Sequence, residues 1–165
     1  MRDLTELMRE YRKTHQNATN RRIHMICVPF IVASTIGLGW LAGPALFGLG
    51  GEVGRWLNAG TVGAALTLIF YARLGIRPLI AMVCFFAVAI AAVWAVDVSP
   101  APLWAVAAGI WVAAWAAQIV GHEIEGAKPS FTDDMVFFLI GPLFILEELG
   151  LRLRGPRVES ATARV

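Results

Sequence analysis

The stretch "THQNATNRRIHMICVPFIVASTIGLGWL", residues 14–41, passes from a polar segment holding two histidines, two asparagines and an arginine pair straight into an apolar run with no charge after Arg22. An uninterrupted apolar run of about 20 residues is what a helix needs to cross a hydrocarbon layer roughly 30 Å thick. Residues 23–42 therefore predict a membrane span. The composition agrees: 58% of the 165 residues are hydrophobic and 16% charged, and the mean hydropathy is +0.65, outside the balance of a soluble domain.

Working outward, three further apolar runs predict spans at residues 59–74, 79–96 and 103–121, separated by "RLGIRP" (73–78) and the two-proline turn "DVSPAP" (97–102). Residues 45–58 are glycine-rich and read as a loop. Residues 135–149 are apolar but interrupted by Gly141-Pro142. That is too short for a straight crossing and predicts a broken or re-entrant segment. At the other end Leu4, Leu7, Met8 and Tyr11 recur at helical spacing with charged residues between them, which predicts an amphipathic helix over residues 1–14 lying along the membrane interface. Residues 152–165 form a polar tail. The fold class is all-α: one integral membrane helical bundle of about four spans, spanning residues 1–165 as a single domain.

The net charge of +2 is carried mostly by basic residues near the two ends and in the short turns. That distribution fits the positive-inside rule rather than nucleic-acid binding. With the N-terminus inside, Arg73 and Arg77, Lys128 and the Arg152–Arg157 cluster all fall on the cytoplasmic side, as expected for a bacterial inner membrane. The polar stretch before the first apolar run does not match a cleavable signal peptide, so the N-terminus is expected to be retained. Cys27 and Cys84, 57 positions apart in apolar runs, suggest buried thiols rather than a disulfide or a zinc ribbon.

This topology brings the only three histidines, His15, His24 and His122, to one face of the membrane. Asn20 stands four residues before His24, on the same helical face, and Asn17 or Asn20 can cap the helix. If the last span continues past Gly121, then Gln118, His122 and Glu125 line one face as an amide, an imidazole and a carboxylate. Three imidazoles and one carboxylate suit Fe(II), Mn(II) or Zn(II). The zinc-protease pattern is absent, because Gly126 stands where its second histidine belongs. The tryptophans read as interface anchors or bundle filler, Asp133 and Asp134 as loop or cap, and Glu147 and Glu148 as partners for Arg152. A lone histidine at a helix end more often caps or snorkels than ligates, so a non-catalytic lipid-binding or assembly module stands beside the metal-site reading. A transporter fits less well, since no ionisable residue lies in the middle of a span.

"YRKTHQNATNRRIHMICVPF" (11–30) and "WAAQIVGHEIEGAKPSFTDDMVFFLIGPLFILEEL" (115–149) resemble the two polar signatures, Y…H…N…H…P and Q…GH…E…P…PLF…E, of the DUF962 or Mpo1-like family. The middle, 45–110, is similar only in being apolar. Characterised members are iron(II)-dependent membrane dioxygenases that shorten 2-hydroxy fatty acids by one carbon in α-oxidation. The resemblance implies Fe(II) as cofactor, a 2-hydroxy fatty acid and dioxygen as substrates, and His15, His24 and His122 as metal ligands and catalytic residues. Asn20, Gln118, Glu125 and Pro129 also match. Eukaryotic members carry a further histidine near the first motif, where this sequence has Thr14 and Gln16 beside His15; Glu125, Gln118 or water then completes the sphere. A 2-hydroxy acid can chelate Fe(II) through carboxylate and hydroxyl and leave a position for dioxygen. Arg21, Arg22 or Lys128 would attract the carboxylate, and the acyl chain would lie among the spans. Homo-oligomerisation stays open.

Overall fold

The computed structural model describes residues 2–42, 48, 50–129 and 134–153. The described residues form helices and no strands: α1 (Leu4–Lys13), α2 (Ala18–Trp40), α3 (Gly51–Trp56), α4 (Ala59–Leu74), α5 (Ile76–Asp97), α6 (Leu103–Glu125) and α7 (Val136–Glu148). Asp133 and residues 154–165 of the expected polar tail lie outside the described residues.

Helices α2, α5 and α6 are long and apolar enough to cross a membrane, with 23, 22 and 23 residues. At 1.5 Å per residue they are about 33–35 Å long. Helix α4 has 16 residues and is apolar but shorter, about 24 Å. Large apolar side chains such as Ile26, Val88 and Val112 are exposed on the outer surfaces, as a lipid-facing surface requires.

Three helices depart from the expected boundaries in ways that have local causes. Helix α2 begins at Ala18 rather than 23, because Asn17 accepts a hydrogen bond from the Thr19 amide (2.8 Å) and caps it. Helix α5 begins before Pro78, which sits in the first turn, where its missing N–H is no loss. Helix α6 does continue past Gly121, and stops at Gly126 in the left-handed conformation, φ 71°.

Five expectations are corrected, the last of them an ion pairing. The Gly141-Pro142 segment is not broken but one continuous helix, α7. Its small Gly141 lets Tyr11 come close, and Tyr71 donates a hydrogen bond to the Leu139 carbonyl (2.8 Å) beside the turn that proline weakens. The amphipathic stripe of α1 is buried in the protein rather than offered to lipid, since Leu4, Leu7, Met8 and Tyr11 pack in one core with Phe137, Ile140 and Phe144 of α7. The glycine-rich loop contains α3, where Glu52 and Arg55 pair at 3.0 Å and Trp56 meets Trp40 and Trp94. Cys27 is buried, but Cys84 is exposed.

Ion pairs fix α1 to α7. Arg12 reaches Glu148 (2.7 Å) and Glu147 (3.3 Å), and its guanidinium lies over the Phe144 ring at 5.1 Å. Glu147 and Glu148 were expected to pair with Arg152. They turn instead to the N-terminal helix, where Arg12 offers a planar fork beside an aromatic face. Arg2 pairs with Glu10 and Asp134.

Helices α2 and α4 approach backbone to backbone. A Cβ on Gly60 would stand 2.3 Å from the Ile36 carbonyl oxygen, whereas one on Gly63 meets nothing within 4 Å. Gly60→Ala is expected to lower the melting temperature in detergent, costing about 1–3 kcal/mol as an overpacked contact, while Gly63→Ala leaves it within about 0.5 kcal/mol of the parent.

Candidate metal centre

The three histidines come from three parts of the fold: His15 from the segment after α1, His24 from the second turn of α2, and His122 from the last turn of α6. All are buried, at 2%, 2% and 6% exposure. Each offers one nitrogen such that the three lie within 4.8 Å of one another. Their rings stand edge to face, with centroids 4.4 Å (His15–His24), 5.1 Å (His15–His122) and 5.0 Å (His24–His122) apart.

The backbone selects which nitrogen faces inward for two of them. His15 Nδ1 donates to the Tyr11 carbonyl (2.8 Å) and His24 Nδ1 to the Asn20 carbonyl (3.0 Å). Such outer bonds fix the tautomer of a ligating imidazole and leave Nε2 with a lone pair. His15 Nε2 and His122 Nδ1 are buried and have no hydrogen-bond partner. Buried polar atoms without partners are rare and costly, so this donor set suits a transition-metal cation that imidazole nitrogens hold. Burial, and then the neighbouring His24, lower the His15 pKa to about 3, which keeps it neutral and able to ligate at pH 7.

Glu125 is not one of the converging groups. Its carboxylate accepts from the Gln16 amide (2.7 Å), the Asn17 amide (2.9 Å) and Asn20 Nδ2 (3.1 Å). These charge-assisted bonds lie at the N-terminus of α2, where the helix dipole favours an anion. Asn20, fully buried, also reaches the Thr14 carbonyl at 3.4 Å. A Cβ on Gly121 would stand 2.5 Å from Asn20 Oδ1, so the glycine before His122 lets α6 come up to α2 at this level.

Gln118 is buried and lines the histidine cavity, with its Nε2 free of hydrogen bonds. Arg21 and Lys128 do not line it. Arg21 is half-buried on α2, and Lys128 borders a separate opening that also reaches His122. Two residues went unrecognised in the sequence. Tyr11 stacks on His15 at 4.0 Å and lines the cavity with Trp115, Phe137 and Phe138. Trp115 stands one turn before Gln118 and seven residues before His122, so it extends the same helical stripe. The cavity measures about 50 Å3, room for small ligands but not for an acyl chain.

Glu125→Ala removes three hydrogen bonds to a charged acceptor and is expected to cost about 1.5–3 kcal/mol, seen as a lower melting temperature that Glu125→Gln recovers only in part. In the chelated protein, His15 is protonated more readily unfolded (about 6.5) than folded (about 3). Its contribution to stability is therefore complete above about pH 6.5 and is lost as the pH falls toward about 3. Thermal unfolding between pH 7.5 and 4.5 should show a weaker pH dependence in His15→Phe.

The family described as 2-hydroxy-palmitic acid dioxygenase Mpo1-like matches residues 1–153. No curated protein and no solved structure matches the chain. The match takes in all three histidines and both polar signatures, and the chain belongs to the 2-hydroxy-palmitic acid dioxygenase Mpo1-like family.

Proposed function

We propose that the protein is a membrane dioxygenase of 2-hydroxy fatty acids with a single Fe(II) held by His15, His24 and His122. The observation that carries this reading is the convergence of three buried imidazoles within 4.8 Å, two of them with nitrogens that no protein group satisfies, in a chain of this family. Imidazole suits several transition metals, and the family's chemistry selects iron.

Iron(II), when bound, would supply chelation of the hydroxy acid and one-electron chemistry with dioxygen. In the overall conversion the carboxyl carbon leaves as carbon dioxide and the hydroxyl-bearing carbon becomes the new carboxyl. Dioxygen takes up the electrons and ends in that carboxyl and one water, so no outside reductant enters.

The protein's own groups bind, orient and exclude water. The Tyr11 and Asn20 carbonyls hold two imidazoles in the ligating tautomer. Val28, Ile31, Phe137 and Phe138 close the cavity, which strengthens every polar interaction inside it. Gln118 Nε2 is placed to donate to a substrate oxygen. Lys128, at the separate opening beside His122, would draw a carboxylate in from water. Glu125 acts one layer out, holding the segment that carries His15 and the start of α2. In this reading the histidine end lies at the cytoplasmic leaflet of a bacterial inner membrane, with Arg73, Arg77 and Lys128 on the same side.

Protein reconstituted anaerobically with Fe(II) should consume oxygen on addition of 2-hydroxyhexadecanoic acid and yield the acid one carbon shorter. His24→Ala and His122→Ala should each lose bound iron and at least about a hundredfold in rate, beyond the range of groups that merely orient ligands. Purified protein without any transition metal, and with folding unchanged by chelators, would point instead to a non-catalytic lipid-binding module.

A further inference from the structure

The histidine cavity is too small for a fatty chain, so the chain must lie elsewhere. Two apolar grooves run along the bundle. The larger, about 710 Å3, is bounded by α2, α5 and the end of α7 and shares no wall with the histidine cavity. The smaller, about 400 Å3, lies between α2, α4 and α7, and Ile31, Val32 and Phe138 are walls of both it and the histidine cavity. From that common wall it continues past Thr35 and Ile36 to Gly39 and Gly60, where α2 and α4 touch backbone to backbone. Along α4, Ala59 to Tyr71 covers about 18 Å at 1.5 Å per residue.

We infer that this α2–α4 groove is the acyl-chain site: the hydroxy-acid head enters the histidine cavity past Ile31, Val32 and Phe138, and the chain lies toward the Gly39–Gly60 contact, which sets the chain length accepted. The inference rests on the proposed 2-hydroxy fatty acid substrate. The groove's volume falls in the ~300–1,000 Å3 range of small-molecule sites. Apart from Thr35 its polar side chains are occupied locally, since Thr67 donates to the Ala64 carbonyl (2.8 Å) and Tyr71 to the Leu139 carbonyl (2.8 Å), and the rest of the wall is apolar. Gly63 is exposed beside the groove, so a chain can slide in sideways from the bilayer without passing through water. The Gly39–Gly60 contact closes the far end because no side chain fits between the two backbones.

Gly63 is the position to test, because it lines the groove one turn from Gly60 and a side chain there has open space. The full-length protein in lipid nanodiscs is photolysed with 2-hydroxyhexadecanoic acid carrying a terminal diazirine, and the labelled peptides are mapped. Saturable labelling should fall on residues 35–39 and 59–67. Gly63→Trp should remove it and shift turnover from sixteen-carbon toward shorter acids by at least about tenfold, the scale of a pocket clash, with Gly63→Leu giving a smaller shift. Val88→Trp, in the larger groove, should change neither readout. Saturable labelling on residues 80–85 or 88–92, which face the larger groove, no saturable labelling, or a chain-length profile unmoved by Gly63→Trp overturns the groove assignment. The label map needs no turnover, so a protein that binds the probe in this groove without consuming oxygen would refute the dioxygenase reading and leave the groove standing.

Discussion

The carboxylate of Glu125 is the contact on which the rest of the histidine end depends. It gathers the Gln16 and Asn17 amides and the Asn20 side chain, and so joins the end of α6 to the start of α2 and to the short segment carrying His15. A carboxylate with three donors at a helix N-terminus is a strong and directional tie. Gly121 provides the clearance that lets α6 reach it. Without that tie, His122 and His24 would still lie on neighbouring helices, but the segment carrying His15 would keep only the α1–α7 packing and the Asn20–Thr14 bond to place it over them. The carboxylate thus arranges the elements that carry the three histidines and is not itself one of the converging groups.

Burial gives the centre its chemical character. The His15 imidazole is kept neutral by desolvation, and the nitrogens without partners in the cavity enclosed by Val28, Ile31, Trp115 and Phe137 cost about 1–3 kcal/mol each in the protein alone. A folded protein retains such groups where function requires them. The small histidine cavity and the long apolar groove share the walls Ile31, Val32 and Phe138, which is the division the proposed fatty hydroxy acid, with a polar head and an apolar tail, would require.

Much of this was legible in the chain because it rests on local rules. The apolar runs gave α2, α4, α5 and α6, the spacing of Leu4, Leu7, Met8 and Tyr11 gave α1, and the Gln118–His122–Glu125 stripe followed from helical periodicity. What stayed hidden depends on tertiary neighbours. The partner that covers α1 is α7, and periodicity identifies an apolar face without saying what buries it. Pro142 normally marks a break, yet α7 runs through it between packed neighbours. Glu125 lies on the predicted stripe, but its oxygens go to backbone amides that only the folded loop presents. Arg12 takes Glu147 and Glu148 from across the chain, a pairing that no i,i+4 rule contains.

That last pairing joins residues 136 positions apart, and the Glu125 tie joins residues 105 to 109 apart. A ribosome releases α1 and His15 before α7, so α1 has nowhere to dock until α7 has been made. Closing loops of that length carries an entropic cost that only the completed bundle offsets. The three imidazoles therefore meet at the end of biogenesis, and a chain halted part-way through the membrane holds its first two histidines without the third. The order of synthesis itself keeps the histidine cluster incomplete in half-built protein.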